Sequence, residues 1–289
     1  MQPLIFNHIS KTLDNYDLFL FDLWGVVIEN NVLYPGVVES INNILKYKRG
    51  IFLSNVPKPS FVVKNMLKQW GFKNVTSDMI LTSGDIAREL ILKKASKLEQ
   101  KKIRIYHLGG NKNNDLLNKL DHAITNDYKE ADIVLLSLYR DQNESKNIRG
   151  DKNLFKNISK QRNILVICAN PDISVPRGDT IRYCAGYFAK MIEKEGKHVT
   201  YTGKPNNLIY QKIFKRFKQI PKNRILMIGD TFETDILGAQ NVGIDSALVL
   251  TGNSNKFHQM YKSLDEKIKI LSQKAEELKI FPSFITDLA

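Results

Sequence analysis

Cysteine is almost absent from this chain of 289 residues, with only Cys168 and Cys184 present. Two are too few for a disulfide framework or a cysteine-rich zinc site. Both read as small buried hydrophobes in a cytoplasmic protein. Long hydrophobic runs are also missing. Nothing approaches the ~20 apolar residues that cross a bilayer, so no membrane partner is expected. The opening residues Met1 to His8 lack the basic and long apolar segments of a secretory leader. Internal repeats and low-complexity tracts are lacking too, which excludes a repeat architecture.

Acidic residues are in deficit: 30 against 43 basic ones, a net charge of +13. Clusters such as Lys93-Lys94, Lys101-Lys102 and Lys212 to Lys218 alternate with apolar residues at helical spacing, as solvated helix faces do. Without a zinc finger, an RNA-recognition signature or an aromatic-interleaved basic stripe, nucleic acid is not an expected partner. The surplus charge suits small phosphorylated anions. The chain is otherwise ordinary, with 43% hydrophobic and 25% charged residues. Its length allows two domains.

What the chain does have is strand–helix alternation, which predicts an α/β fold with parallel strands buried on both faces. Leu18–Phe21, Ile51–Ser54, Ile225–Ile228 and Ser246–Leu250 read as strands. Gly36–Tyr47, Ser60–Gln69, Gly186–Glu195, Asn206–Lys218 and Asp235–Asn241 read as helices. A second alternating unit lies between, with strands at Ile103–His107, Ile133–Leu136 and Ile164–Cys168. Its helices are expected at Ser83–Leu92, Asn113–Leu120 and Asn153–Lys160. Asn143 to Asp151 is the stretch expected to be mobile. From Asn253 onward a Lys/Glu-rich amphipathic helix region is expected to pack on the core. The division drawn from this pattern is 1–80 with 182–289, and 81–181 inserted between.

Four motifs follow in order. Asp22 ends the apolar strand and opens Asp22-Leu23-Trp24-Gly25-Val26-Val27, a carboxylate poised at a strand's carboxyl end. Ser54-Asn55 follows the next strand and offers a hydroxyl and an N–H, although such a pair is also a common turn. Lys204 stands in Thr202-Gly203-Lys204-Pro205, where it reads either as a surface residue or as a counter-charge for crowded anions. Gly229-Asp230-Thr231-Phe232-Glu233-Thr234-Asp235 follows Ile225–Ile228. Asp230 alone could be a helix cap, but the string runs on to Asp245 with Gly and Ala at fixed spacing and is much more specific.

Together these motifs resemble those of the haloacid dehalogenase (HAD) superfamily. The likeness covers about Tyr16 to Gly252. It is nearest to the class II-capped subfamily IIA, the NagD and p-nitrophenylphosphatase group, within a subset carrying Asp-x-Trp-Gly-Val. The resemblance implies a Rossmann-like core with an inserted α/β cap at 81–181 and a Mg²⁺-dependent phosphatase of small phosphorylated metabolites, such as sugar phosphates or nucleotide monophosphates. Asp22 would be the nucleophile that forms an aspartyl phosphate, with Lys204 and Ser54 assisting catalysis. Mg²⁺ would be held by Asp22, the backbone carbonyl of Trp24 and Asp230. Asp235 would hold a metal-bound water or order the loop. Ser54, Asn55, Asn170, Asp172 and Arg177 would contact substrate. Asn170-Pro171-Asp172 matches a string of that group near its cap junction, though Asp172 reads equally as a plain turn residue. Loop residues 173 to 179, with Arg177, would select the substrate. Homo-oligomers are left open.

Trp24 departs from the usual pattern, in which a second Asp protonates the leaving oxygen. Indole has a donor N–H that does not titrate usefully, and losing a general acid–base group costs about 10²–10⁴ in rate. Three outcomes fit: substrates with good leaving groups, a substitute acid such as Asp172 or Glu29, or a phospho-ligand-binding protein with little turnover. Carbon–halogen or phosphonate hydrolysis also tolerates a non-acidic residue there. The Asp230/Asp235 pair argues against dehalogenation, which in this superfamily works without Mg²⁺.

Overall fold

The protein is described by a computed structural model covering residues 5–98, 102–109, 115–141, 145–177, 180–260 and 263–288. It divides into two units. The first comprises 1–54, 63–81 and 204–289, and the second 55–62 and 82–203.

The first unit is built on the run Leu18-Phe19-Leu20-Phe21, which is buried throughout. A strand with no polar face must be covered on both sides, and burial of each such side chain contributes about 1.5–3 kcal/mol. It occupies the interior of a six-stranded sheet ordered Phe284–Thr286, Asp245–Val249, Ile225–Gly229, Leu18–Phe21, Arg49–Ser54, Ile80–Thr82. The registers Phe21↔Ile228 and Phe21↔Phe52 are parallel. Asp22, Leu53-Ser54 and Gly229-Asp230 therefore emerge at one level. From Leu18–Phe21 the chain goes first to one neighbour and later to the other, so its carboxyl end is a topological switch point.

After Asp22 the chain turns through Ile28–Glu29 and Val32–Leu33, an antiparallel hairpin. Asn30 and Asn31 form its tip, both with positive φ, at 49° and 65°. A two-residue turn of that kind matches strand twist and tolerates asparagine. Helices Val37–Ile44, Asn207–Arg216 and Leu237–Val242 lie within this unit, their apolar residues buried.

Two strands of the six-stranded sheet escaped the sequence pattern. Ile80–Thr82 and Phe284–Thr286 have three residues each, too few for a period to declare itself. The closing helix does not begin near Asn253. Gly252–Ser254 is a single 3₁₀ turn, Asn255–Met260 a short helix, and the long helix is Leu264–Leu278. Ser263 and Glu266 form a capping box that fixes where it starts. Its Leu271 and Ala275 pack with Phe232, Leu248 and Ile285. Beyond the Phe284–Thr286 strand, Phe6 forms a parallel bridge with Ile285.

The second unit contains a five-stranded parallel sheet ordered Thr200–Tyr201, Leu165–Cys168, Ile133–Leu136, Ile103–Leu108, His122–Ile124. A three-stranded antiparallel sheet joins Ser174–Arg177, Thr180–Tyr183 and Arg140–Asp141. Sequence reasoning ended this unit near 181, whereas packing carries it to Gly203. The reason is the helix Ala185–Lys194, whose Phe188, Ala189 and Ile192 bury against Val134, Val166 and Phe155. The later strand Thr200–Tyr201 also pairs with Leu165–Cys168. The helix expected at Asn113–Leu120 is, over its described residues, only a turn at 115–117. Asn143 and Glu144 lie outside the described residues. From Ser145 the stretch expected to be mobile is the first half of the helix Ser145–Ser159.

Candidate active site

Asp22 follows its strand directly, and its N–H donates to the carbonyl of Ile228 at 3.0 Å. Only 7% of it is exposed. Lys204, also buried, places Nζ 2.7 Å from Asp22 Oδ1 and 2.6 Å from Asp235 Oδ1. A third donation goes to the carbonyl of Leu53 at 3.0 Å. An ammonium has three donors, so this lysine links the ends of two neighbouring strands and the Asp235 turn. A buried ion pair of this kind is strongly destabilised, by about 3–5 kcal/mol, when one partner is removed.

Asp235 lies on a π turn, Phe232–Ile236, not on the first turn of an α-helix as expected; the α-helix starts at Leu237. The wider turn lets Asp235 face back toward its own strand, and its Oδ2 accepts the Thr231 N–H at 3.1 Å. Asp230 is buried, and its Oδ2 accepts the N–H of Asn253 at 2.6 Å. Oxygens of Asp22, Asp230 and Asp235 lie within 4.8 Å of one another.

Three carboxylates against one ammonium leave a formal charge of −2 in a buried space. Proton affinity rises in response. Burial pushes Asp22 up to about 7; Lys204 opposes the rise and Asp235 adds to it. Burial, then Asp235 and Asp22, hold Asp230 well above the usual carboxylate range. Burial would lower Lys204, but Asp22 and Asp235 outweigh it and keep its proton more firmly than usual. A divalent cation matches the excess charge, and carboxylate oxygens are the hard donors that such cations take.

Ser54 is fully buried at the end of its strand. Trp24 is 36% exposed and packs edge-on against Trp70, with ring centroids 5.8 Å apart. Glu29 accepts the Tyr34 hydroxyl at 2.5 Å. A separate concavity of about 770 Å³, lined by residues including Tyr34, Leu45, Trp70 and Met79, includes none of the three carboxylates.

The remaining expected residues belong to the second unit. Asn55 donates through Nδ2 to Asp172 Oδ1 at 2.7 Å. Asn170 is buried; its Nδ2 donates to the Tyr139 hydroxyl at 2.9 Å and its Oδ1 accepts the Asp172 N–H at 3.1 Å. Its amide therefore shapes the Asn-Pro-Asp turn from inside. Arg177 ends the strand Ser174–Arg177, so residues 174 to 177 form one arm of a hairpin and not a loop. Its side chain lies outside the described residues.

Sequence reasoning missed the turn Thr251-Gly252-Asn253-Ser254. Thr251 Oγ1 donates to the carbonyl of Gly25 at 2.5 Å, and Ser254 Oγ donates to that of Asp230 at 2.6 Å. Its signal was available: four turn-forming residues directly after the Asp245–Val249 strand region. Tyr210 was missed as well. Its hydroxyl is buried against Gly238 and finds no hydrogen-bond partner among the described groups.

Known proteins are similar to this chain. A haloacid dehalogenase-like hydrolase model matches residues 19–123, and a HAD-hydrolase-like model matches 201–269. An acid sugar phosphatase of Staphylococcus aureus is 27% identical over 151 residues, 52% of this chain; the chain thus spans about half, 55%, of that relative's length. The crystal structure of a possible sugar phosphatase from Cytophaga hutchinsonii is 26% identical with a TM-score of 0.76, covering 98% of this chain and 97% of that one. A 4-nitrophenylphosphatase from Thermotoga maritima is 26% identical with a TM-score of 0.66, covering 95% of each chain. With its motifs in order on a shared fold, the chain belongs to the haloacid dehalogenase-like hydrolases and is similar in structure to a 4-nitrophenylphosphatase of that fold.

Proposed function

We propose that this chain is a Mg²⁺-dependent phosphatase of small phosphorylated metabolites, sugar phosphates and nucleotide monophosphates among them. The observation carrying the reading is the shared Lys204 between Asp22 and Asp235, with Asp230 beside them. Asp22 attacks phosphorus, forming a P–O bond to its carboxylate while the bond to the leaving alcohol breaks. Water then attacks the aspartyl phosphate, releases inorganic phosphate and restores Asp22. Lys204 holds Asp22 in line and offsets the charge that collects there. Mg²⁺ held by Asp22, Asp230 and the Trp24 carbonyl would neutralise the phosphoryl oxygens. Both oxygens of Asp235 already accept hydrogen bonds, which supports the ordering role for it. Ser54 and Asn55 would bind phosphate, and Asp172 and Arg177 are proposed from the sequence to select the substrate.

A second reading, a protein that binds phosphorylated ligands with little turnover, is favoured by Trp24, which supplies no proton to a leaving oxygen. Turnover of p-nitrophenyl phosphate with and without Mg²⁺, in the unmodified chain and in Asp22→Asn, separates the two. Mg²⁺-dependent hydrolysis abolished by the substitution supports the phosphatase. Binding of inorganic phosphate without hydrolysis of any phosphoester supports the other.

A further inference from the structure

Four successive residues past the Asp245–Val249 strand each hold a part of the site. Thr251 ties down Gly25, in the loop after Asp22. The Gly252 N–H donates to the Tyr34 hydroxyl at 3.0 Å, and Tyr34 donates in turn to Glu29 of the hairpin. Asn253 donates its N–H to Asp230 Oδ2 and its side-chain Nδ2 to Thr231 Oγ1, the latter at 2.7 Å. Ser254 holds the backbone carbonyl of Asp230. One short turn thus bonds the loop after Asp22, the hairpin beyond it and the Asp230 loop.

The packing is as specific as the hydrogen bonding. A Cβ on Gly252 would stand 2.3 Å from Asp230 Oδ2 and 2.5 Å from the Cα of Gly25. A Cβ on Gly25 would stand 2.4 Å from the same oxygen. Both glycines have positive φ, at 88° for Gly25 and 52° for Gly252, so a side chain at either would add backbone strain to the clash. Two glycine backbones therefore close on one carboxylate, and the Asn253 N–H fixes its rotation.

We propose that Thr251–Ser254 together with Tyr34 is a positioning bracket, which holds the Asp230 carboxylate ready for a divalent cation and couples cation binding to the Ile28–Leu33 hairpin. The proposal rests on the reading of Asp230 as a Mg²⁺ ligand. None of the bracket residues touches the cation; they act through the rotamer of Asp230 and through the loop that carries Trp24. Groups that orient ligands in this way tune metal affinity without touching the metal.

The test measures Mg²⁺ binding by calorimetry on the full chain without substrate. Tyr34→Phe and Thr251→Val should each weaken Mg²⁺ binding about three- to tenfold. Thr251→Ser keeps the hydroxyl and should restore affinity. KM for p-nitrophenyl phosphate at saturating Mg²⁺ should stay within about twofold, unlike a general loosening of the fold. Hydrogen exchange supplies the coupling readout: Mg²⁺ should slow exchange of the hairpin amides in the unmodified chain, and less so in Tyr34→Phe. Unchanged affinity in both variants, a Thr251→Ser as weak as Thr251→Val, or hairpin exchange indifferent to Mg²⁺ would each overturn the bracket. If the unmodified chain binds no Mg²⁺ at all, the metal reading of Asp230 fails and the bracket falls with it. Binding that is normal in the unmodified chain and unmoved by the variants sinks the bracket alone.

Discussion

Two parallel sheets in one chain end very differently. At the carboxyl edge of the first stand Asp22, Ser54 and Asp230, with Lys204 and Asp235 against them. At the carboxyl edge of the second stand His107, Ser137 and Asn170. His107 Nε2 and Ser137 Oγ are hydrogen-bonded at 2.8 Å, and burial, with His122 nearby, pushes the His107 pKa down to about 4. His107, Ser137 and Asn170 carry no charge at pH 7; the first two bond each other, and Asn170 bonds Tyr139 and Asp172. The first edge keeps an excess of like charge that its single lysine does not balance. The same architecture thus builds a charged cluster in one unit and a set of uncharged, hydrogen-bonded groups in the other. The difference lies in a handful of side chains and not in the fold.

The largest effect expected is at the charged edge. Asp22→Asn keeps the shape but removes the proposed nucleophile, and should lower kcat for p-nitrophenyl phosphate on the order of 10⁴-fold or more. Ser137→Ala, at the neutral edge, should leave kcat within about threefold. An assay finding the two variants equally impaired would erase the distinction drawn between the sheets.

Trp24 sharpens the comparison further, since its indole N–H does not titrate usefully. Rates should fall steeply from aryl and acyl phosphates to alkyl phosphates, by about 10²–10⁴. Trp24→Asp should flatten that slope, with melting temperature followed alongside because the lost indole also packs on Trp70. A shallow slope in the unmodified chain would mean another group already donates; Asp172→Asn and Glu29→Gln then decide which.

The two edges should also respond to pH with opposite sign. Asp22 has a raised folded-state pKa, so its stabilising contribution is present below about 4 and is lost as pH rises through about 7. His107 has a depressed one, so its contribution is present above about 6.5 and is lost as pH falls through about 4. In melting curves without metal, Asp22→Asn should remove part of the fall toward neutral pH, and His107→Gln part of the fall toward acid. Excess Mg²⁺ should lift the melting temperature at pH 7 more than at pH 5. Equal Mg²⁺ shifts at both values would contradict the charge argument.

The smallest effect concerns Tyr210. A buried hydroxyl without a protein partner contributes little, so Tyr210→Phe should change the unfolding free energy by less than about 1 kcal/mol. A larger loss would mean that the hydroxyl bonds a group in solution.

Much of this was legible in the sequence. Continuous apolar runs such as Leu18–Phe21 and Ile133–Leu136 declare strands buried on both faces, and the fixed order of Asp22, Ser54, Lys204 and Asp230 declares which edge carries charge. Three-residue strands were illegible because a period needs length. The π turn at Asp235 was illegible because helical spacing does not distinguish a wider turn. The bonds of the Asn170 amide to Tyr139 and Asp172 were illegible, because only packing makes that choice. The role of the Thr251–Ser254 turn was illegible because its contacts are far away in sequence, at Gly25 and Tyr34 among others.

The outermost strand of the first sheet has a bearing on handling the protein. Phe284–Thr286 covers Asp245–Val249 on one side, while the Asn7 N–H donates to the Ile285 carbonyl and the Ile285 N–H to that of Ile5, each at 2.9 Å. An open, flat, apolar strand invites pairing with other chains. A chain cut back before Phe284 would bare the edge of Ala247–Val249, all three of them buried here. Such a chain should form intermolecular β-structure on concentration. Two distant stretches of sequence, near Phe6 and near Ile285, thus act jointly to keep the sheet from aggregating.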